Sequence, residues 1–316
     1  LLQHFALETS STITHNEAAR AAWCAAVPQL SAKHMFVLQG TMAISALHIS
    51  KFAETEREKK HFRVIATYQM STGLIRYRET VAKVTEENAE SLLAFSVTAT
   101  AWVLLTTADD FNDLLRPITA NEPKLNRRAT IESLVAYTSK ILRTLRGVLV
   151  IIVPCWNLIA NGIFANVAKR DWWPYPIPTS PDAIEVDKRL ANLQSMWMRP
   201  DCPYEYSLDL TVTDDAKRTR YGELIDWTSV LAWPISLPLA FVELVEVQSP
   251  EAWVLLAHYA MLPAKVEHVF WIEDFGPNLI TAAALVLGEN MRTWIQWPAG
   301  VIGIDLDVVF SAHTQT

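Results

Sequence analysis

Three aspartates lie within the segment DDFND, at positions 109–113, directly after an apolar run. If this segment is helical, Asp109 and Asp113 are four residues apart and Asp110 and Asp113 are three apart, so all three carboxylates share one edge of the helix. Carboxylate oxygens are hard ligands that suit Mg²⁺, which takes its remaining ligands from water and phosphate. The spacing therefore marks a candidate magnesium–diphosphate site.

A second group of oxygen ligands lies further along the chain, at Asp215, Thr219 and Glu223. Its i, i+4, i+8 spacing resembles the second metal motif of class I terpene cyclases, and together the two groups predict an enzyme of terpenoid or other secondary metabolism. The competing interpretation is that these are solvated carboxylates at a helix end and a connection. That interpretation predicts that at least two of the three residues Asp109, Asp110 and Asp113 are exposed and that the chain holds no metal and no cofactor.

Aromatic side chains provide the other candidate site, because the chain has twelve tryptophans and several of them fall in its last quarter. Most must pack in a core, but a subset can wall a dry pocket that is closed by a few polar groups. We expect this pocket between a helix at 250–261, a helix at 278–294 and a loop at 297–304, with a contribution from the helix at 91–105. The predicted ligand-binding residues are Phe95, Trp253, His258, Met291, Trp294, Trp297 and Gly300.

His258 is the predicted polar anchor of that pocket, and Gly300 is predicted to let the loop change shape. His34 and His48 also lie on apolar helices, where a lone histidine is commonly hydrogen-bonded in a core rather than bound to a ligand. The sequence contains no HExxH, GxSxG, GxGxxG or phosphate-binding loop, which removes the common metalloprotease, hydrolase and nucleotide-enzyme functions.

The composition limits the remaining function classes. The 316 residues are 51% hydrophobic and 19% charged, with a net charge of −7, so this segment by itself is a poor match to a nucleic-acid binder. Cys24, Cys155 and Cys202 are odd in number and far apart, which gives neither a disulfide framework nor a CxxC site. The apolar run at 148–159 is short and broken by Pro154, so no membrane span is expected.

The apolar spacing is helical nearly throughout, and the sequence predicts an all-α, multi-helix single domain over 1–316. Thr14 and Glu17 form a predicted capping box for a helix that Pro28 is expected to end. Thr85 is predicted to cap a helix that continues past the aspartates, and helices are predicted at 130–145 and 182–197. A proline-rich crossing is predicted at 172–182, and only the patch at 148–153 and the tail VIGIDLDVVF show strand-like patterning.

Five blocks of sequence in a fixed order resemble a known family. They are VPQLSAKHMFVLQGTMAISALHISKF (27–52), TEENAESLLAFSVTATAWVLL (85–105), LRTLRGVLVIIVPCWNLIANG (142–162), WPISLPLAFVELVEVQSPEAWVLLAHYAMLP (233–263) and MRTWIQWPAGVIGI (291–304). Together they are similar to the helical regulatory domain of fungal zinc-cluster transcription factors, in the subgroup of the sterol uptake control protein.

The resemblance implies a regulator, nuclear or cytoplasmic, whose helical domain binds a sterol-like hydrophobic ligand and forms a homodimer. DNA would be bound only through an amino-terminal zinc-cluster module, whose six cysteines are absent from this chain. The expected function is effector sensing. The alternatives are the magnesium-dependent enzyme described above and a dimerisation and coactivator-docking domain that binds no ligand.

Overall fold

The computed structural model describes residues 1–14, 16–119, 127–168, 181–196 and 230–311. It is 84% helical, with no strand in these described ranges, which confirms the all-α prediction. Residues 149–153 are helical, and so are residues 301–302 and 306–310 of the carboxyl-terminal VIGIDLDVVF segment, although both stretches show strand-like patterning. Each stretch buries part of its apolar surface, including Ile151 and Val309, and this packing outweighs the local β propensity.

Fifteen α-helices are described, and short 3₁₀ turns lie between some of them. In chain order they are α1 Leu2–Leu7, α2 Glu17–Lys33, α3 Met35–Phe52, α4 Glu56–Val81, α5 Ala89–Thr119, α6 Arg127–Gly147, α7 Leu149–Asn161, α8 Ala165–Ala168, α9 Pro181–Asn192, α10 Ala232–Ser236, α11 Leu239–Glu246, α12 Pro250–Tyr259, α13 Phe275–Leu287, α14 Arg292–Ile302 and α15 Leu306–Ser311.

The chain divides into two compact units. The first comprises Leu1–Thr106, Thr144–Asp171 and His268–Trp271. The second comprises Thr107–Arg143, Trp172–Glu267 and Ile272–Thr316.

The core of the first unit is organised around Phe95 on α5. Its ring lies 5.6 Å from the ring of Phe36 and 4.8 Å from that of Tyr77, and the side chain is fully buried. Gly40 on α3 and Gly73 on α4 make room for it, since a Cβ atom at either position would lie within 2.8 Å of a Phe95 ring carbon. The two glycines therefore allow three helices to close around one aromatic ring.

A carboxylate of α5 also binds the turn after α7, within the first unit. Glu90 Oε1 accepts a hydrogen bond from the N–H of Ile163 at 2.7 Å, and the same oxygen lies against Gly162. A charged acceptor on a backbone N–H is a comparatively strong hydrogen bond. This hydrogen bond stabilises the turn, and the carboxylate can approach the backbone because Gly162 has no side chain.

The core of the second unit is built on α12, of which Ala252–Tyr259 are all buried. It packs beside α13, and at Gly276 a Cβ atom would lie 2.7 Å from the carbonyl oxygen of Ala260 and from the nitrogen and Cβ of Ala264, in the turn after α12. The start of α13 can therefore meet the turn after α12 only with a glycine at this position.

The amino-terminal helix boundaries differ from the prediction. Asn16, rather than Thr14, caps α2, because its Oδ1 accepts the N–H of Ala19 at 2.8 Å. Pro28 lies inside α2 and does not end it. The proline is on the exposed side of the helix, where water can satisfy the carbonyl that lacks its usual donor, while Leu30 continues the buried face.

The predicted helix at 278–294 is two helices, and the predicted loop at 297–304 is mostly helical. α13 ends at Leu287, because Gly288 adopts a φ of +70° that terminates the helix, and α14 begins at Arg292. Pro298 and Gly300 both lie within α14, which ends at the left-handed Gly303. The stripe expected to run from α13 through Met291 to Trp294 is therefore interrupted.

Two stretches are long and apolar enough, by length and composition alone, to cross a membrane: Ala89–Arg116 and Arg127–Asn161. In the first, 72% of the most apolar window is buried within the protein, and in the second 28%. Core helices of soluble proteins meet the same criteria, so these properties by themselves assign neither stretch to a bilayer. Gly147 ends α6, and Pro154 with the non-helical Cys155 interrupts α7 within the second stretch.

Candidate functional site

A cavity of about 230 Å³ in the second unit is the best candidate for a ligand site. α9 forms one side, the end of α12 and the turn after it form the floor, and α14 forms the opposite side. The lining residues are Glu185, Val186, Leu190, His258, Tyr259, Met261, Leu262, Lys265, Trp297 and Val301. Apolar side chains predominate, and the ionisable residues Glu185 and Lys265 are exposed.

His258 is a buried polar group of this cavity, with 4% of its surface exposed, and Tyr259 beside it in the lining is buried as well. The Nδ1 of His258 lies 2.8 Å from the carbonyl oxygen of Val254, one turn earlier on α12. Burial lowers the pKa of His258 to about 4, so the ring is neutral at pH 7. A neutral ring that donates from Nδ1 leaves Nε2 as a hydrogen-bond acceptor, which suits a ligand with an O–H or N–H group.

Trp297 is the aromatic wall beside this histidine. The two ring centroids are 5.6 Å apart, and the guanidinium of Arg189 on α9 lies 5.1 Å from the centroid of Trp297. Arg189 Nε in turn donates to Glu185 Oε1 at 2.7 Å. This chain of contacts holds α9 against α14 at the mouth of the cavity through cation–π and hydrogen-bonding interactions.

The cavity is small for a large ligand. Pockets that enclose drug-sized molecules usually have volumes of about 300–1,000 Å³, and this one has about 230 Å³. As it stands, it accepts one end of a rigid multi-ring molecule or the whole of a smaller one.

The structure brings together two of the predicted ligand-binding residues, His258 and Trp297. Trp253 is fully buried, and its Nε1 donates to the carbonyl of Val245 at 3.1 Å, so it packs in the core and does not line the cavity. Met291 and Trp294 are half-buried and lie outside the lining.

Phe95 and Gly300 also differ from their predicted roles. Phe95 belongs to the core of the first unit and lies outside this cavity. Gly300 is exposed on α14, and a Cβ atom there would have open space around it. Its predicted place in a reshaped loop is wrong, because the segment is helical.

Sequence reasoning missed the contribution of α9. Val186, Leu190 and Leu193 follow an i, i+4, i+7 pattern just after the predicted proline-rich crossing, and that pattern is the signal that could have identified α9 as a packed helix. The crossing at 172–182 itself lies outside the described residues, apart from Pro181 and Asp182 in the first turn of α9.

The aspartates of DDFND do not form a metal centre among the described residues, where no group of three His, Cys, Asp or Glu side chains has suitable geometry. Asp109 and Asp110 are half-buried, and Asp113 is exposed and paired with Arg116, so the expectation that two of the three are exposed is wrong. Asp215, Thr219 and Glu223 lie outside the described residues.

His48 on α3 is hydrogen-bonded within the first unit, as expected for a core histidine. Its Nδ1 lies 3.0 Å from Thr9 Oγ1 and 3.2 Å from His4 Nε2, and its ring stacks on Phe270 with centroids 4.4 Å apart. Burial, with a smaller contribution from the charge of His4, lowers the pKa of His48 to about 4. His34 stacks on Phe36 with centroids 5.2 Å apart.

Comparison with known proteins gives one informative match. A Zn(2)-C6 fungal-type transcription factor from Gibberella zeae is 21% identical over 328 residues, and the match covers 96% of this chain and 61% of the relative. The match supports the fungal zinc-cluster family. It does not distinguish the sterol uptake subgroup, and the chain spans only 61% of the length of this zinc-cluster relative. No family model matches the chain, and no solved structure matches it.

Proposed function

We propose that this chain is the effector-sensing region of a fungal transcription regulator that acts in the nucleus. Its effector would be an apolar molecule with one hydroxyl group, bound in the cavity between α9, α12 and α14. The zinc-cluster relative supports the regulatory role, and the lining of the cavity supports the class of ligand.

The observation that carries this proposal is the state of His258. His258 and Tyr259 are the two buried ionisable side chains of the cavity lining that the structure describes. The Tyr259 hydroxyl already donates to the carbonyl of Val230 at 2.9 Å, and the Nδ1 of His258 is satisfied by Val254. Nε2 of His258 therefore provides an acceptor within a mostly apolar wall. A ligand that places a hydroxyl there gains a hydrogen bond, whereas a ligand with only acceptor atoms gains none.

A sterol-like molecule meets these requirements, because it combines a rigid fused-ring body with a single hydroxyl. Its hydroxyl-bearing end would enter beside His258 and Trp297, and the rest would extend past Val301 or displace α9. Burial of apolar surface contributes about 25 cal/mol per Å², so about 100 Å² of ring surface supplies about 2.5 kcal/mol.

Ligand binding can act as a switch only if the ligand prefers one of two conformations. We propose that the two conformations differ in the contact between Arg189 and Trp297. A ligand packed against Trp297 either stabilises α9 in its present place or displaces it. In the whole protein, we propose that this difference is read by a zinc-cluster module that binds DNA.

Homodimerisation remains part of the proposal. The apolar face of α3 is largely used within the chain, because Phe36, Val37, Ile44 and Leu47 are all buried. A dimer would therefore use other surfaces, and static light scattering of the purified chain measures whether it forms.

The proposal is tested by the thermal stability of the chain with a matched series of sterols. The series comprises ergosterol, its 3-ketone and its 3-methyl ether, which share the ring system and differ in the hydroxyl hydrogen. A ligand present at about 100 times its Kd stabilises the folded state by about 2.7 kcal/mol. We expect the alcohol to raise the melting temperature and the ketone and ether to have much smaller effects.

The matched variant is His258→Phe, which keeps a ring in the core but removes the acceptor. It should erase the difference between alcohol, ketone and ether. If no member of the series changes the melting temperature of the unmodified chain, the sterol-binding proposal is wrong.

A further inference from the structure

We propose that the exposed face of α4 binds an acidic amphipathic helix of another protein. Three large apolar side chains lie uncovered on this helix of the first unit: Val64 is 61% exposed, Tyr68 is 67% exposed and Ile75 is 60% exposed. Exposed apolar side chains that occur singly are common, but these three share one stripe of one helix, as interaction surfaces do.

The spacing of the stripe is that of a two-helix seam. Val64 and Ser71 are seven residues apart, and so are Tyr68 and Ile75. In chain order, the four positions 64, 68, 71 and 75 are therefore separated by four, three and four residues. This is the a and d pattern of a coiled coil, in which side chains of one helix insert between those of the other. The other face of α4 is already occupied within the first unit, where Ala66, Met70 and Gly73 are buried.

Basic side chains continue the stripe at both ends. Arg57 precedes Val64 by seven residues, and Arg78 follows Ser71 by seven. These two arginines and Lys60 are exposed, and none forms an ion pair with a described residue. From Arg57 to Arg78, the seam is about 30 Å long at 1.5 Å per residue.

The charge of α4 is opposite to that of the chain. Six arginines and lysines against three glutamates give α4 a net charge of +3, whereas the whole chain carries −7. An acidic partner helix, with apolar residues along one stripe and carboxylates beside it, complements both features. Electrostatic complementarity of this kind favours the correct partner and accelerates the encounter.

Other occupants match the seam less well. A second copy of α4 brings arginines beside arginines in either orientation, because both ends of the stripe are basic, and like charges disfavour that pairing. DNA phosphates would use the cations but leave Val64 and Ile75 uncovered. A membrane surface requires a broad apolar face, whereas this stripe is one side chain wide and is interrupted by Ser71.

The test uses the purified chain and two synthetic 22-residue helical peptides. Both carry leucine at the a and d positions. One has glutamate and the other lysine at the flanking positions. We expect fluorescence anisotropy to give the acidic peptide a Kd at least about tenfold lower than that of the basic peptide, with the difference shrinking as salt is added.

Two variants make the test specific to the seam. Val64→Lys combined with Ile75→Lys should raise the Kd of the acidic peptide at least about tenfold, since central apolar contacts dominate helix interfaces. Leu7→Lys, at another exposed apolar position of the first unit, should leave it unchanged. Arg57→Glu combined with Arg78→Glu should shift the preference toward the basic peptide, and circular dichroism confirms that each variant is folded.

Several outcomes overturn the proposal. They are equal binding or no binding of the two peptides, no effect of the Val64 and Ile75 changes, and binding of anionic phosphatidylserine vesicles or duplex DNA in place of the acidic peptide. Light scattering that shows a dimer lost on changing Val64 and Ile75 would instead assign the stripe to a second copy of the chain.

Discussion

The ring of Phe95 occupies the space that a side chain at Gly40 would fill. A Cβ atom at Gly40 would lie 2.8 Å from Phe95 Cδ2 and would also press against Thr98 Oγ1. α3 and α5 approach each other closely at this point, and the core of the first unit depends on that approach.

Gly40→Ala should therefore lower the stability of the chain by about 1–3 kcal/mol, as overpacking a filled core usually does. The matched control is Gly300→Ala in α14, where a Cβ atom meets nothing within 4 Å. That change should raise stability by about 0.5–1 kcal/mol, because glycine is a poor helix former. Urea midpoints of the two variants should move in opposite directions, and a shift in the same direction would contradict the packing described at Phe95.

Removing the Glu90 carboxylate should weaken the turn after α7. Glu90→Ala leaves the N–H of Ile163 without its acceptor and should cost about 1–3 kcal/mol. Glu90→Gln keeps an oxygen at the same place and should cost less. Hydrogen exchange at Ile163 should accelerate in the alanine variant and change little in the glutamine variant, and equal rates in both would argue against this contact.

Acid should destabilise the chain through two histidines whose pKa values are lowered by desolvation, the half-buried His48 and the buried His258. The pKa values of His48 and His258 are about 4 in the folded state, below the value of about 6.5 expected for an unfolded chain. Between pH 6.5 and 4 the unfolded state binds more protons, so stability falls as the pH falls and is fully present above pH 6.5.

For His258 this effect reaches about 3 kcal/mol near pH 4, at about 1.4 kcal/mol for each pKa unit. Melting temperatures measured from pH 7 to pH 4 should show a steep fall in the unmodified chain. His258→Gln should flatten the curve, even if its melting temperature at pH 7 is lower. A curve with the same slope in both proteins would show that His258 does not titrate in this way.

Trp297 and Trp294 provide a matched pair for the ligand cavity, since both lie on α14 and only Trp297 lines it. Trp297→Ala should abolish the rise in melting temperature caused by ergosterol, because it removes the aromatic wall and the partner of Arg189. Trp294→Ala should preserve that rise. If both variants respond alike, the cavity is not where the ligand binds.

The acidic segment can be tested directly with magnesium and an inorganic diphosphate. We expect no change in melting temperature on adding both, and none in Asp109→Asn or Asp113→Asn, because Asp113 is engaged with Arg116. Turnover of a prenyl diphosphate that disappears in Asp109→Asn would instead establish the enzyme function.

The periodicity of the apolar residues was enough to predict the all-α class and most helices, because a long apolar stripe at helical spacing does not fit a β-strand. Periodicity predicted the helix ends incorrectly at a proline and at a glycine, where the outcome depends on tertiary packing. Pro28 was expected to end a helix that Leu30 continues, and Gly288 divides a stripe that appeared continuous. Neither outcome follows from spacing alone, because each depends on which side chains the neighbouring helices bury.

The site was harder to predict than the fold, because a pocket is formed by residues distant in sequence. His258 and Trp297 were identified from their residue types, as a buried polar group and an aromatic wall. Phe95 is aromatic like Trp297, but it packs in a core because Gly40 and Gly73 leave room for its ring there. α9 was overlooked as a wall because its short apolar stripe carries no information about the helices that it contacts.

Gly276 limits how this part of the chain can diverge during evolution. Where the start of α13 meets the turn after α12, any side chain would collide with the backbone at Ala260 and Ala264. That turn includes Leu262 and Lys265, which line the cavity. A lineage that keeps this ligand pocket must therefore keep the glycine, however far the rest of its sequence drifts. A lineage that replaces it must move α13 away from the turn, and its pocket floor would then be open to selection for a different ligand.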